Sequence, residues 1–183
     1  MQLFIGSFIV LFLISVVVVA CSLGIFLKNY KLAAIFFGAL PPFTSGSITP
    51  FIVVYPLIKV GNYERAKNYL DKIPEVLLIP DYIALSAWLE ALKNQWDTCE
   101  VELSKFDTMI AEKSSDLRIQ KLYEEASLAM HAALKDKNAE AFSASPIFID
   151  ISRIINIQLI LAVSVIALFW GLFITTLIPR IIH

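Results

Sequence analysis

The order of apolar and polar residues divides the chain into two uncharged ends and a charged middle. Residues 1–27 carry no charged side chain, and a helix of that length would extend about 40 Å, enough to cross the hydrocarbon core of a bilayer. Residues 154–179 form a second uncharged run, bordered by Arg153 and Arg180. Both runs predict transmembrane helices. Residues 59–145 carry charge and repeat their apolar positions at helical spacing, which predicts a helical domain.

Residues 32–58 are also uncharged, but Pro41, Pro42, Pro50 and Pro56 interrupt them. Each half is about ten residues long, too short to cross a bilayer alone. The run therefore forms either a re-entrant hairpin or a broken transmembrane helix. The hairpin is favoured, because it keeps most of the cations near the membrane on one side, as the positive-inside rule requires. The second half leads directly into the helical domain and could be its first helix.

Within residues 59–145, breaks and caps divide the apolar pattern into several helices. Pro74 ends the first amphipathic run, and Asp81 is the candidate N-cap of the next. Another helix starts at residues 114–116 and ends at residues 135–138, before a last short helix at residues 139–145. Its expected buried face consists of Ile119, Leu122, Tyr123, Ala126, Met130 and Ala133.

A pattern of four residues occurs twice in this domain, about 33 residues apart. The first copy has Gly61, Tyr63, Ala66 and Leu70, and the second has Asn94, Trp96, Cys99 and Leu103. In each copy an aromatic residue, a small residue and a leucine share one helix face. Apart from Asn94, these residues are the candidate packing positions of a repeat.

Residues 48–110 resemble the tetratricopeptide-repeat family, whose second helix follows a turn glycine and carries tyrosine and then alanine. The resemblance implies antiparallel helix pairs stacked side by side, with a groove that holds a partner protein. Asn94 replaces the glycine, Cys99 replaces the alanine, and the period is one residue short of the family's 34. The alternative is an ordinary antiparallel helical bundle in which a favourable turn sequence occurs twice. The fold prediction is all-α, with terminal transmembrane helices flanking a tetratricopeptide-like domain.

Composition supports a membrane protein and argues against binding nucleic acid. The hydrophobic content is 58% and the mean hydropathy is +0.73, above the range of soluble domains. The net charge is −1, without a basic cluster. Cys21 and Cys99 are interpreted as small core residues. Residues 18–21 resemble a lipoprotein cleavage motif, but no basic stretch precedes them, so lipidation of Cys21 is the less favoured interpretation.

The sequence does not predict catalytic, cofactor-binding or metal-binding residues. His131 and His183 have no acidic or cysteine partner at ligand spacing, so each is interpreted as structural or solvated. The pairs Glu124–Glu125 and Glu100–Glu102 fit a solvated helix surface. Charged side chains are absent from the interiors of the uncharged runs, which argues against a transporter or proton relay.

These features predict a noncatalytic accessory or scaffold subunit of a larger integral-membrane complex. Its partners would be other membrane subunits and the bilayer, with Gly6, Gly24 and Gly171 as points of close approach. The alternative is a membrane-bound receptor or adaptor that captures a soluble protein in the helical groove, and an enzyme or transporter comes third. A bacterial inner membrane or an organelle membrane is the expected location, with the helical domain in the cytoplasm.

Overall fold

The structure, a computed structural model, describes residues 2–37, 49–73, 79–113 and 117–182. Every regular element in these ranges is an α-helix, which confirms the all-α prediction. The first four helices are α1 (Gln2–Phe26), α2 (Tyr30–Phe37), α3 (Thr49–Lys59) and α4 (Tyr63–Leu70). They are followed by α5 (Pro80–Leu92), α6 (Trp96–Lys113), α7 (Leu117–Lys135), α8 (Ala139–Ser143) and α9 (Pro146–Ile182).

Helix α9 connects the core of the helical domain to a long apolar segment. It begins at Pro146, well before the uncharged run that starts at residue 154. Its early residues Ile147, Phe148, Ile151 and Ile155 are buried against α3, α5 and α7. Residues Pro146–Thr175 form the one helix in the described chain that is long and apolar enough to cross a membrane, and only 6% of its apolar window is buried.

Helix α1 packs along α9 in the opposite direction. The indole Nε1 of Trp170 donates a hydrogen bond of 3.1 Å to Ser15 Oγ, and the ring of Phe12 meets the Trp170 ring edge-on at 5.5 Å. At the other end of the pair, Phe26 and Leu159 line the same cavity. The described apolar part of α1, Leu11–Phe26, is shorter than a full span, so the transmembrane helix at residues 1–27 stays a prediction.

Helix α3 belongs to the core of the helical domain. Five of its apolar side chains are at most 6% exposed: Phe51, Val53, Val54, Leu57 and Ile58. It packs against α2, α4 and α9. The predicted hairpin at residues 32–58 has its centre at residues 38–48, which lie outside the described residues. The described part shows that a run without charge can be buried by protein.

Four turns of the described chain end a helix in the same way. Their left-handed residues are Lys28 (φ 56°), Gly61 (φ 80°), Asn94 (φ 57°) and Lys137 (φ 48°). At each turn the next residue donates its backbone N–H to a carbonyl five positions earlier, at 2.6–2.9 Å. This is the Schellman motif, which satisfies carbonyls that the helix leaves unpaired. Helices α1, α3, α5 and α7 therefore all end by turning directly into a second helix.

The same turn occurs once more, nearer the N-terminus than the two copies predicted from the sequence. Lys28 precedes Gly61 by about 33 residues, the spacing that separates Gly61 from Asn94. Asn29 and Tyr30 follow it as Asn62 and Tyr63 follow Gly61, and Ala33 is fully buried as Ala66 is. The end of α1 and helix α2 thus form an additional helix pair with the same turn.

Replacing Gly61 with alanine should lower the free energy of unfolding by about 1 kcal/mol, because an L-residue is strained at this positive φ. Steric clash is not the cause, since an added Cβ at Gly61 meets nothing within 4 Å. Gly171→Ala is the matched control: its Cβ also meets open space, but in a helix, where alanine is favoured. Denaturant unfolding in mild detergent measures the stability of both variants. Equal losses of stability would show that backbone strain does not cause the effect at Gly61.

Candidate interaction surfaces

The candidate packing residues of the repeat lie inside the helical domain. Ala66, Cys99 and Leu103 are completely buried. Tyr63, Leu70 and Trp96 are partly buried and pack against the same core, while Gly61 forms the turn before α4. Their side chains support neighbouring helices, and Leu70 also lines a cleft.

The thiol of Cys99 is unsuited to act as a nucleophile. Burial raises its pKa to about 12, and the negative charge of Glu90 adds to the effect. A thiol with this pKa stays protonated near neutral pH, whereas the thiolate is the reactive form. Cys21 and Cys99 are both buried free cysteines.

Two ion pairs connect α4 and α5. Lys67 Nζ contacts Glu90 Oε1, and Lys93 Nζ lies 3.2 Å from Glu64 Oε1. The two pairs differ in burial, because the Glu90 side chain is 1% exposed and the Glu64 side chain is 85% exposed. Glu90 Oε2 is buried without a hydrogen-bond partner among the described residues. Lys67 therefore supplies the main positive charge that balances the buried Glu90 carboxylate.

A cleft of about 490 Å³ opens between α4, α5 and α6. Its apolar surface is formed by Leu70, Ile73, Tyr82, Ile83 and Met109, and its polar surface includes Asp71, Ser86, Glu102 and Lys105. Glu102 and Lys105 form an ion pair of 2.7 Å at its edge. Apolar walls with a few polar groups are typical of sites that bind small ligands or peptide side chains.

His131 has an acidic partner, contrary to the sequence analysis. Its Nε2 lies 2.7 Å from Asp107 Oδ2 on α6, and the hydroxyl of Ser127 donates to Asp107 Oδ1 at 2.6 Å. In a Ser-His-Asp triad the histidine lies between the serine and the acid and removes the serine proton. Here the carboxylate lies between the other two groups, so the arrangement joins α6 to α7 and does not activate the hydroxyl.

Two other predictions about this domain are corrected by the structure. Ile79, not Asp81, occupies the N-cap of α5, and Pro80 opens the helix. The carboxylate of Asp81 instead accepts a hydrogen bond of 2.9 Å from the Tyr123 hydroxyl on α7, and burial raises the pKa of Asp81. On α7, Ala126, Met130 and Ala133 are buried as predicted, but Ile119 is 46% exposed.

Beyond residue 155, α9 presents an apolar surface that the rest of the described chain leaves uncovered. Ile157, Ile160, Leu161, Val165, Leu168 and Leu172 are exposed by 49–66%. On the same helix an added side chain at Gly171 would meet open space. An apolar surface of this extent is normally covered by lipid or by another protein.

The described residues do not contain a group of three or more histidine, cysteine, aspartate or glutamate side chains placed to hold a metal ion. No protein-family model, curated protein or solved structure matches this chain.

Proposed function

We propose that this chain is a noncatalytic accessory subunit of an integral-membrane complex and holds a helical interaction module at the membrane surface. The observation that supports this most strongly is the course of α9. Its first turns are part of the module core, and its later turns expose an uncharged apolar surface. A single continuous helix would therefore fix the position of the module relative to the bilayer, without a flexible linker.

The cations near the uncharged runs support a cytoplasmic orientation of the module. Lys28, Lys31 and Arg153 lie beside the uncharged ends of the chain, and Lys59 follows the uncharged run at residues 32–58. Under the positive-inside rule the module would lie in the cytoplasm of a bacterium, or on the equivalent side of an organelle membrane. With helix α1 also in the bilayer, Gly171 would be available for close contact with a neighbouring subunit.

A tetratricopeptide-like arrangement of the module is part of the proposal. The turns at Lys28, Gly61 and Asn94 support it, because they recur at constant spacing with the same hydrogen bonds. Consecutive helices α2 to α6 also pack each on the next. Stacked helix pairs of this kind commonly present extended binding surfaces.

Native purification in mild detergent followed by mass spectrometry tests the proposal. We expect the tagged chain to co-purify with other membrane proteins in fixed proportion, and Gly171→Leu to reduce their recovery at least about tenfold, which corresponds to 1.4 kcal/mol. Because an added Cβ at Gly171 meets open space within the described chain, loss of partners would report an external contact. Gly171→Ala is the milder control. A chain that always runs as a monomer would contradict the proposal.

The cleft between α4, α5 and α6 favours a second candidate, a membrane-bound receptor for a soluble protein. Charge reversal at Lys105, which borders the cleft, should then abolish association, whereas Gly171→Leu should not. Lys121→Glu is the control, since Lys121 is a solvent-exposed lysine on α7 that does not line the cleft. If Lys105→Glu leaves every partner bound, the receptor function is excluded.

A further inference from the structure

A second cavity, of about 380 Å³, lies where the end of α1 meets α2, α3, α8 and α9. Its polar lining consists of two lysines and four hydroxyl groups: Lys28, Lys59, Tyr30, Tyr55, Ser143 and Ser152. Among the described residues, no carboxylate lines it. Such a set of donors is suited to an anion with several acceptor oxygens.

Neither of the two lysines has its charge balanced by a carboxylate. Within the described part of the chain, Lys28 and Lys59 form no ion pair. The ammonium of Lys59 lies 4.8 Å from the Trp88 ring centre and 5.4 Å from that of Tyr55. Burial lowers the pKa of Lys59, so its charge is incompletely solvated and an anion nearby would stabilise it.

Two of the four cavity hydroxyls already have a partner: Ser143 donates to the Glu140 carbonyl at 2.7 Å, and Ser152 is hydrogen-bonded to Tyr55. The tyrosine hydroxyls are the remaining donors. Burial raises the pKa of Tyr55 to about 12, so its phenol keeps its proton. The Tyr30 ring packs against Tyr55 at 6.0 Å, and the Tyr55 ring packs against Trp88 at 5.9 Å. Aromatic packing thus holds the tyrosine at the wall of the cavity in a defined orientation.

The cavity lies at the level where the apolar surfaces of α1 and α9 end. Ser15 meets Trp170 deep in the antiparallel pair, and Phe26 meets Leu159 further along. Further in the same direction lie Lys28, just after the end of α1, and Ser152 on α9. If α9 spans a bilayer, this height corresponds to the layer of lipid headgroups.

We propose that this cavity, lined by Lys28 and Lys59, binds the phosphate of an anionic phospholipid at the membrane surface. The proposal rests on the membrane attachment argued under Proposed function. Basic pockets beside membrane helices commonly recognise lipid phosphates. The lysines would balance the phosphate charge, while the hydroxyls of Tyr30 and Tyr55 would donate to its oxygens. The apolar groove between α1 and α9, lined by Val19, Leu23, Phe26 and Val163, begins nearby and could receive an acyl chain.

Thermal unfolding of the full chain in nonionic detergent, with added phospholipid, tests this assignment. Phosphatidylglycerol should raise the melting temperature by about 3 °C or more, and phosphatidylcholine should not. Lys28→Gln with Lys59→Gln should abolish the shift. The control Lys72→Gln with Lys121→Gln, which alters two lysines outside the cavity, should retain it. Ser152→Asp provides an independent variant, because a carboxylate in the cavity should repel phosphate without removing either lysine.

Four outcomes would overturn the assignment, and they differ in cause. Equal shifts with phosphatidylcholine would show that the cavity does not select an anionic headgroup. A lysine-dependent shift with inorganic phosphate alone, at millimolar concentration, would indicate a soluble phosphate compound instead of a lipid. Absence of any shift, in a chain that still inserts into vesicles, would remove the lipid site and leave the proposed function intact. Failure to insert at all would overturn the proposed function as well.

Discussion

Replacing Phe148 with alanine should lower the free energy of unfolding by about 3 to 5 kcal/mol, as is usual for a buried aromatic residue. Phe148 is 2% exposed, although it lies on the helix that continues into the long apolar segment. Its ring packs 4.9 Å from that of Trp88 and 6.5 Å from that of Phe142. The substitution would leave a cavity between α5, α8 and α9 at the point where they meet.

The next residue provides the control for this prediction. Ile149 is on the same turn of α9 but is 65% exposed, so Ile149→Ala should change the stability by less than about 0.5 kcal/mol. Tryptophan fluorescence during denaturant unfolding in mild detergent measures both variants. Equal effects would mean that the first turns of α9 do not belong to the module core.

Replacing Lys67 with methionine should have the second largest effect. It should lower the free energy of unfolding by about 2 to 3 kcal/mol. Removing one member of a buried ion pair typically costs 3 to 5 kcal/mol, because the other charge is left unpaired. We expect less here, since the Lys67 side chain is 37% exposed and solvent screens part of the interaction. Adding Glu90→Leu to this variant should recover most of the loss, because it removes the stranded carboxylate.

The exposed pair between the same helices is the matched control. Lys93→Met removes the partner of Glu64, whose side chain is 85% exposed, and should cost no more than about 1 kcal/mol. Thermal unfolding at neutral pH compares the single and double variants. If Lys67→Met with Glu90→Leu is no more stable than Lys67→Met alone, the unpaired Glu90 charge is not the source of the loss.

The sequence predicted helical packing well where the pattern is local. The spacing predicted that Ala66 lies on the buried face of one helix, and Cys99 and Leu103 on that of another, and all three are fully buried. Residues three and four positions apart face the same side, so this part of the fold is visible without a structure. The additional turn at Lys28 was also visible, in the Asn29-Tyr30 pair that Asn62-Tyr63 repeats. It lies between the predicted transmembrane helix at residues 1–27 and the uncharged run at residues 32–58, outside the segment predicted as a repeat.

Absence of charge did not distinguish the two environments in which an apolar helix can lie. Helix α3 and the later part of α9 are similarly poor in charge, yet the first is buried by protein and the second is largely uncovered. Apolar side chains are removed from water both in a protein interior and in a bilayer, so composition alone does not distinguish the two environments. Only the tertiary contacts reveal which helix needs another partner.

Contacts between distant residues could not be predicted from the sequence. Glu90 meets Lys67 across 23 positions, and His131 meets Asp107 across 24. Each pair depends on how two helices cross, and helix periodicity does not fix that crossing. The polar cavity at Lys28 and Lys59 depends in the same way on the meeting of five helices.

The depth of spin labels along α9, measured in vesicles, tests the central claim most directly. Because the native cysteines are buried, a label would react with a cysteine introduced at Ile149 or Leu168. Both side chains are exposed in the isolated chain, by 65% and 66%. We predict that the label at residue 149 collides with a water-soluble relaxing agent, whereas the label at residue 168 collides with oxygen dissolved in lipid. Equal access of the water-soluble agent to both labels would contradict membrane attachment through α9.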